Sequence, residues 1–260
     1  MMGMKPVLPA RLRWALAVAA VALAGCAGLR APQAGDVAAS PWAQQSGMHP
    51  GAHAKAWTHQ TFPGKVPTRF AYARQDGRDV VAVQADSSAS MLRQVLRVEP
   101  ADLGHVRFSW KVPALIEQAD LATRENDDAP VRIVLAFEGD RSRFSSRDAA
   151  LSELAQVLTG EPMPYATLMY VWCNKRAPGN VIVSPRTDRI RKLVVESGPR
   201  RLNEWLDYDR DIRADFERVF GEPPGALVGV GIMTDSDNTH TRTSAAYGLV
   251  RLVPSPVATR

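Results

Sequence analysis

Apolar and polar positions alternate along most of the chain from about Ala56 to Pro254. In "HVRFSWKV", Val106, Phe108, Trp110 and Val112 fall on one side, and His105, Arg107, Ser109 and Lys111 on the other. "VRIVLAFE" places Val131, Ile133, Leu135 and Phe137 on one face, and "TLMYVW" does the same with Leu168, Tyr170 and Trp172. A period of two marks a half-buried strand, because successive side chains of extended backbone point to opposite faces. "RFAYARQ", "DVVAVQ", "MLRQVLRV", "RIRKLVVE", "ALVGVGIM" and "SAAYGLVRLV" bring the set to nine or more strands. Turn residues separate many of them, at Asp76-Gly77, Ala177-Pro178-Gly179-Asn180 and Ser197-Gly198-Pro199. Two segments alone carry a helical period. Residues 145–160 have a Ser cap, Leu151, Leu154 and Leu158 at helical spacing, and Gly160 at the end; residues 207–224 put Tyr208, Ile212, Phe216 and Val219 or Phe220 on one stripe before Gly221. Helices and strands do not alternate, so the pattern predicts a mainly β fold: a jelly-roll-like antiparallel β-sandwich with two short helical insertions.

The first residues follow a different pattern. Lys5, Arg11 and Arg13 precede an apolar stretch of 11 residues, Trp14 to Ala24, and no acid occurs before Asp36. A membrane-spanning helix needs about 20 apolar residues, whereas this length suits a signal-peptide core. The stretch ends in Leu23-Ala24-Gly25-Cys26, which resembles a bacterial lipobox. The resemblance implies cleavage before Cys26, lipidation of Cys26, and an envelope protein held to a membrane through that lipid. Ala27 in place of an Asp favours the outer membrane by the same resemblance. The expected organisation is a leader at 1–25, a flexible tether at 26–55 rich in Ala, Pro, Gly and Gln, one sandwich domain at 56–254, and a tail at 255–260.

The formal charge is +5, but three of those charges sit in the leader, leaving +2 for the rest. The remaining cations are interspersed with acids, which describes a mixed solvated surface and gives no basis for nucleic-acid binding. The chain has two Cys. With Cys26 lipidated, Cys173 has no partner for a disulfide and reads as a small buried hydrophobe.

Several stretches together resemble an uncharacterised bacterial family, domain of unknown function 3047: "FSWKVP" at 108–113, "NDDAPVRIVLAFEGD" at 126–140, "YVWCN" at 170–174, "VVESGP" at 194–199, residues 207–224, and "VGIMTDSDNTHTRTSAAYGLVRL" at 230–252. The resemblance implies a sandwich like carbohydrate-binding or galactose-binding-like modules and brings no catalytic residues with it.

Common catalytic signatures are missing: there is no G-x-S-x-G, H-E-x-x-H, C-x-x-C or G-x-x-x-x-G-K, and only five His. Two acidic clusters remain, Asn126-Asp127-Asp128 before one strand and Asp235, Asp237 and Asn238 after another. Side chains of these types build turns by bonding their own backbone. They also bind sugar hydroxyls, and four carboxylates (Asp127, Asp128, Asp235, Asp237) offer oxygens for calcium if the two loops meet. The spacing is not that of an EF-hand, since His240 and Ala246 stand where its loop needs Gly and Glu. Trp172, Tyr170, Trp205 and Tyr247 are the aromatic candidates for stacking on a sugar ring, with Trp172 and Trp205 taken as site residues, although the alternation around Trp172 also suits a core position. Gly229 and Gly231 leave two bare positions on one strand face, where a neighbour or ligand can approach closely. The function expected is non-catalytic binding of a polar ligand, foremost a saccharide. The alternatives are a hydrolase using carboxylates from the two loops and a structural or assembly lipoprotein without a small ligand.

Overall fold

Twelve strands form among the described residues, and most coincide with the alternating segments. In the computed structural model, residues 35–47 and 54–254 are described. The leader, Cys26, residues 26–34 and 48–53 of the expected tether and the 255–260 tail lie outside the described residues. The strands are β1 (Thr58–Thr61), β2 (Arg69–Gln75), β3 (Arg78–Asp86), β4 (Ala89–Val98), β5 (His105–Lys111), β6 (Ala129–Phe137), β7 (Ala166–Cys173), β8 (Val181–Val183), β9 (Ile190–Ser197), β10 (Leu206–Asp211), β11 (Leu227–Asp235) and β12 (Arg242–Val253).

They build two sheets, one of seven strands in the order β1-β4-β11-β6-β7-β9-β8 and one of five in the order β10-β5-β12-β3-β2. Neighbours are antiparallel except β7 and β9. The chain crosses between the sheets at β1–β2, β3–β4, β4–β5, β5–β6, β9–β10, β10–β11 and β11–β12, so the architecture is the expected mainly antiparallel sandwich. The inner faces pack together as the alternation requires. Val106, Phe108 and Trp110 of β5 and Val131, Ile133 and Leu135 of β6 are all buried in one core. Phe108 of the five-stranded sheet stacks on Tyr170 of the other, with ring centroids 5.6 Å apart. Gly231 does mark a close approach, since a Cβ there would lie 2.7 Å from the Met91 sulfur on β4.

The helices depart from expectation in three places. Residues 35–47, read from sequence as part of the flexible tether, form helices α1 (Gly35–Ala38) and α2 (Pro41–Gln45) packed on the five-stranded sheet. Ser40 caps α2 and Pro41 opens it, a start signal that the Ala- and Gly-rich composition masked. Trp42 is fully buried, its indole donates to the Gly248 carbonyl at 2.8 Å, and its ring meets Trp57 at 4.8 Å. Helix α3 (Ser146–Thr159) forms as expected, from the Ser145 cap to Gly160 at φ 77°. Its expected apolar stripe is not its buried face, however. Leu154 and Leu158 are more than half exposed, and the helix is attached through Asp148 and Ser152. The second helical segment is shorter than the sequence suggested. "LDYDRD" pairs with β5 as β10, and helix α4 (Ile212–Phe220) begins only after Asp211, whose side chain accepts from Ala214 N–H at 2.9 Å. The Leu206-Tyr208-Arg210 alternation was a strand signal overlooked beside the helical stripe that follows it.

Candidate functional site

The end of β11 lies beside the start of β6 because the two are antiparallel neighbours, with Asp235 opposite Ala129 and Met233 opposite Arg132. That pairing joins the two acidic loops. Asp128 accepts four hydrogen bonds from the 238–239 turn: Asn238 N at 3.2 Å, Asn238 Nδ2 at 2.9 Å, and Thr239 N and Oγ1 at 2.7 Å each. Asn238 Nδ2 also donates to the Asp127 carbonyl at 3.2 Å. One carboxylate oxygen from each of Asp128, Asp235 and Asp237 lies within 4.8 Å of the others.

Two cations from the sheet enter this cluster. Arg132 of β6 holds Asp235 in a forked pair, Nε to Oδ1 at 2.9 Å and Nη2 to Oδ2 at 2.9 Å, and its Nη2 also reaches the Asp127 carbonyl at 2.9 Å and carboxylate at 3.1 Å. Lys192 of β9 donates to both Asp127 oxygens at 2.6 Å and to the Leu121 carbonyl at 2.7 Å. Arg132 is 2% exposed and Lys192 1%, so these charges are held by the network and not by water. Lys65, half in solvent, pairs with Asp237. Behind the cluster, the Tyr247 hydroxyl crosses from the five-stranded sheet, donating to the Met233 carbonyl at 2.5 Å and accepting from Arg132 N–H at 3.0 Å.

Burial sets the titration of these groups, and the neighbours modify it. For Asp127 burial works upward, but Arg132 and Lys192 prevail and hold the carboxyl below its ordinary range. Asp235 is pushed up to about 6 by complete burial; Arg132 pulls it down more strongly than Asp128 and Asp127 push it up, but does not cancel the burial. Burial and the nearby Arg132 charge bring Lys192 down to about 8. Arg132 stays cationic throughout, since its carboxylate partners outweigh burial.

This donor set does not fit the expected calcium site. Asp127 turns to Lys192 and Arg132, Asp128 is saturated by the 238–239 turn, Asp235 accepts from Arg132 and Ala129 N–H, and Asp237 is paired with Lys65. Calcium requires six to eight oxygens free to coordinate. Here protein cations and N–H groups already occupy the carboxylates.

Of the aromatic candidates, Tyr247 backs the cluster but is fully buried, Tyr170 is a core residue whose hydroxyl donates to Asp215 at 3.0 Å, and the two tryptophans do not join it. Trp172 is a core residue, 1% exposed, with its indole donating to the Gly198 carbonyl at 3.0 Å. Its place in the alternation decided its position, and it presents no stacking face. Trp205 precedes β10 at the edge of the other sheet. Its indole donates to Asp76 at 2.9 Å and the Arg78 guanidinium lies 5.0 Å from its ring centre, so one face of the ring is taken.

Sequence reasoning missed Arg132, Lys192, Lys65 and Arg186. Arg132 and Lys192 were legible only as charges set among apolar neighbours on strands, which the alternation assigned to solvent. The 112–128 connection covers that face instead, through Leu121 packed with Val171, Cys173 and Val194.

A cleft of about 330 Å³ opens on the outer face of the seven-stranded sheet beside this network. Phe62, Pro63, Met169, Ile190 and Met233 give it apolar surface, and Lys65, Ser184, Arg186 and Asn238 are among its polar groups. A second, wider groove of about 580 Å³ lies on the five-stranded sheet over Ser109 and Gly248. Its Arg78–Asp207 and Arg107–Asp209 pairs are exposed and mutually satisfied.

The model of a family described as Protein of unknown function (DUF3047) matches residues 55–251. No curated protein matches the chain. Among solved structures, it is similar to the xyloglucanase domain of NopAA, a type three effector from Sinorhizobium fredii, in complex with cellobiose. The identity is 11%, the TM-score 0.39, and the match covers 83% of this chain and 100% of that one.

Proposed function

We propose that this chain, which belongs to the family described as Protein of unknown function (DUF3047), is a lipid-anchored envelope protein that binds a saccharide non-covalently in the cleft on its seven-stranded sheet. The observation that carries the reading is the make-up of that cleft. Apolar surface from Met169, Met233 and Ile190 adjoins polar groups from Ser184, Asn238 and Arg186. A sugar ring has the same two-sided character, with C–H faces and a hydroxyl rim. The buried ion network beneath the cleft holds Asn238 rigidly, and pre-organised polar groups bind at lower entropic cost. A hydrolase is the second reading, because Asp235 is pushed up to about 6 while Asp127 is held low, a division seen in acid–base pairs. It ranks second because the Asp235 oxygens accept three N–H bonds, from Ala129 and Arg132, which leaves them poorly placed to pass a proton to a substrate.

The test is a thermal-shift and calorimetric screen of the full chain against neutral and acidic mono- and oligosaccharides. Binding to the native state raises Tm by mass action. A flat response across the set would remove the saccharide reading, and release of reducing ends would promote the hydrolase. Anchoring rests on the leader and lipobox, and Cys26→Ala is expected to move the protein from the membrane fraction to the soluble one.

A further inference from the structure

Every carboxylate that faces the cleft is already matched by a protein cation, yet the cations are not all matched in return. The lining carries Lys65, Arg132, Arg186 and Lys192 against Asp127, Asp235 and Asp237. Lys192 and Lys65 are spent on Asp127 and Asp237. Arg132 spends Nε and Nη2 on Asp235 and Asp127, but its Nη1 has only the Met169 sulfur at 4.0 Å. A thioether is a weak acceptor, so this buried guanidinium keeps one nitrogen whose N–H groups have no oxygen partner among the described residues. Arg186, exposed at the same cleft, makes no ion pair among the described residues. Its guanidinium bonds only the Asn238 side-chain oxygen, at 3.3 Å.

We infer that the cleft recognises an acidic group on its ligand, a carboxylate, through Arg132 Nη1 and the Arg186 guanidinium. Applied to the saccharide reading above, on which this step rests, the ligand class is an acidic sugar of the uronate kind. The geometry is suited to it. A planar guanidinium presents N–H groups that match carboxylate oxygens, and such charge-assisted bonds are about twice as strong as neutral ones. Arg132 is fixed by its fork to Asp235, so its free edge is held in place before any ligand arrives. Arg186 contributes the charge that the lining carries in excess. Met169 and Met233 line the same cleft and supply apolar surface for the C–H face of the ring.

The experiment measures binding to the full chain at fixed ionic strength with sodium D-glucuronate, D-glucose, sodium acetate and sodium phosphate as separate probes. Glucuronate is expected to bind detectably and glucose at least tenfold more weakly. Arg186→Gln, an exposed change that leaves the buried network intact, is expected to weaken glucuronate by roughly tenfold, the size of one charge-assisted contact. Arg186→Glu should abolish binding at the same concentrations while the far-ultraviolet spectrum and Tm stay close to the parent. Glucose matching glucuronate overturns the acidic-group inference and leaves the saccharide reading standing. Acetate or phosphate matching glucuronate upholds the anion site and removes the saccharide reading. Full glucuronate affinity in Arg186→Glu, or no response to any of the four probes, overturns the inference.

Discussion

Asp235 and Arg132 show how much of this site hangs on single side chains. Removing one member of a buried ion pair strands the other, so Asp235→Ala is expected to cost about 3–5 kcal/mol in urea unfolding, given that Arg132 is 2% exposed. Replacing both, as Arg132→Met with Asp235→Leu, should recover much of that loss, because apolar residues avoid the desolvation of two charges. A double variant no more stable than the single one would show that the pair is needed for the fold itself. The neighbouring pair makes a pH prediction. The folded pKa of Asp127 is below its unfolded value, so its stabilising contribution is complete above about pH 4 and is lost as pH falls through the folded value. Asp127→Asn should therefore flatten the acid limb of stability against pH. The same substitution should lower Lys192 below its titration near 8, since the Asp127 carboxylate is one of the groups holding it up; the Lys192 Cε shift in NMR reports this directly. None of these partners was readable from the chain. Asp127 and Asp235 stood out as clustered acids, but a cation on a strand carries no mark of what it faces.

At the scale of elements, alternation identified most of the strands, and the failures share a cause. A segment's own pattern says which face is apolar but not what covers the opposite face. Helix α3 has Leu154 and Leu158 at helical spacing, yet its attachment is polar: Asp148 accepts from the Thr187 hydroxyl and Ser152 from Arg141. Residues 35–47 have too few apolar positions to declare a period, yet buried Trp42 and Val37, with the Gly47 backbone paired to β12, dock them. Trp42→Ala is expected to cost about 3–5 kcal/mol, the range for losing a fully buried large aromatic, and to increase proteolysis near residues 35–47. An unchanged Tm and cleavage pattern would mean that α1 and α2 are dispensable decoration. Helix α4 offers a smaller test of local chemistry, since Asp211→Ala removes a cap worth about 1 kcal/mol.

At the scale of the whole molecule, topology puts the cleft where two connections meet at one end of the seven-stranded sheet. Its charge is internally balanced apart from Arg186, so calcium has little to gain there. Millimolar calcium is expected to shift Tm by less than about 1 °C, whereas a bound cation would stabilise the native state by mass action. The thiol of Cys173 is buried, so in a Cys26→Ala background it should react with a thiol reagent only when the protein opens, at a rate that follows global stability. The sequence by itself determined the mainly β class, the paired sheets and the acidic loops, because alternation and turn chemistry are written in neighbouring residues. It did not determine that "NDDAP" and "MTDSDNTH" meet, that Arg132 and Lys192 bind them, or that Trp172 is lost to the core. Those outcomes depend on strand order and on which face each connection covers. Asp127 and Asp235 are more than a hundred residues apart and become neighbours only when β11 pairs with β6.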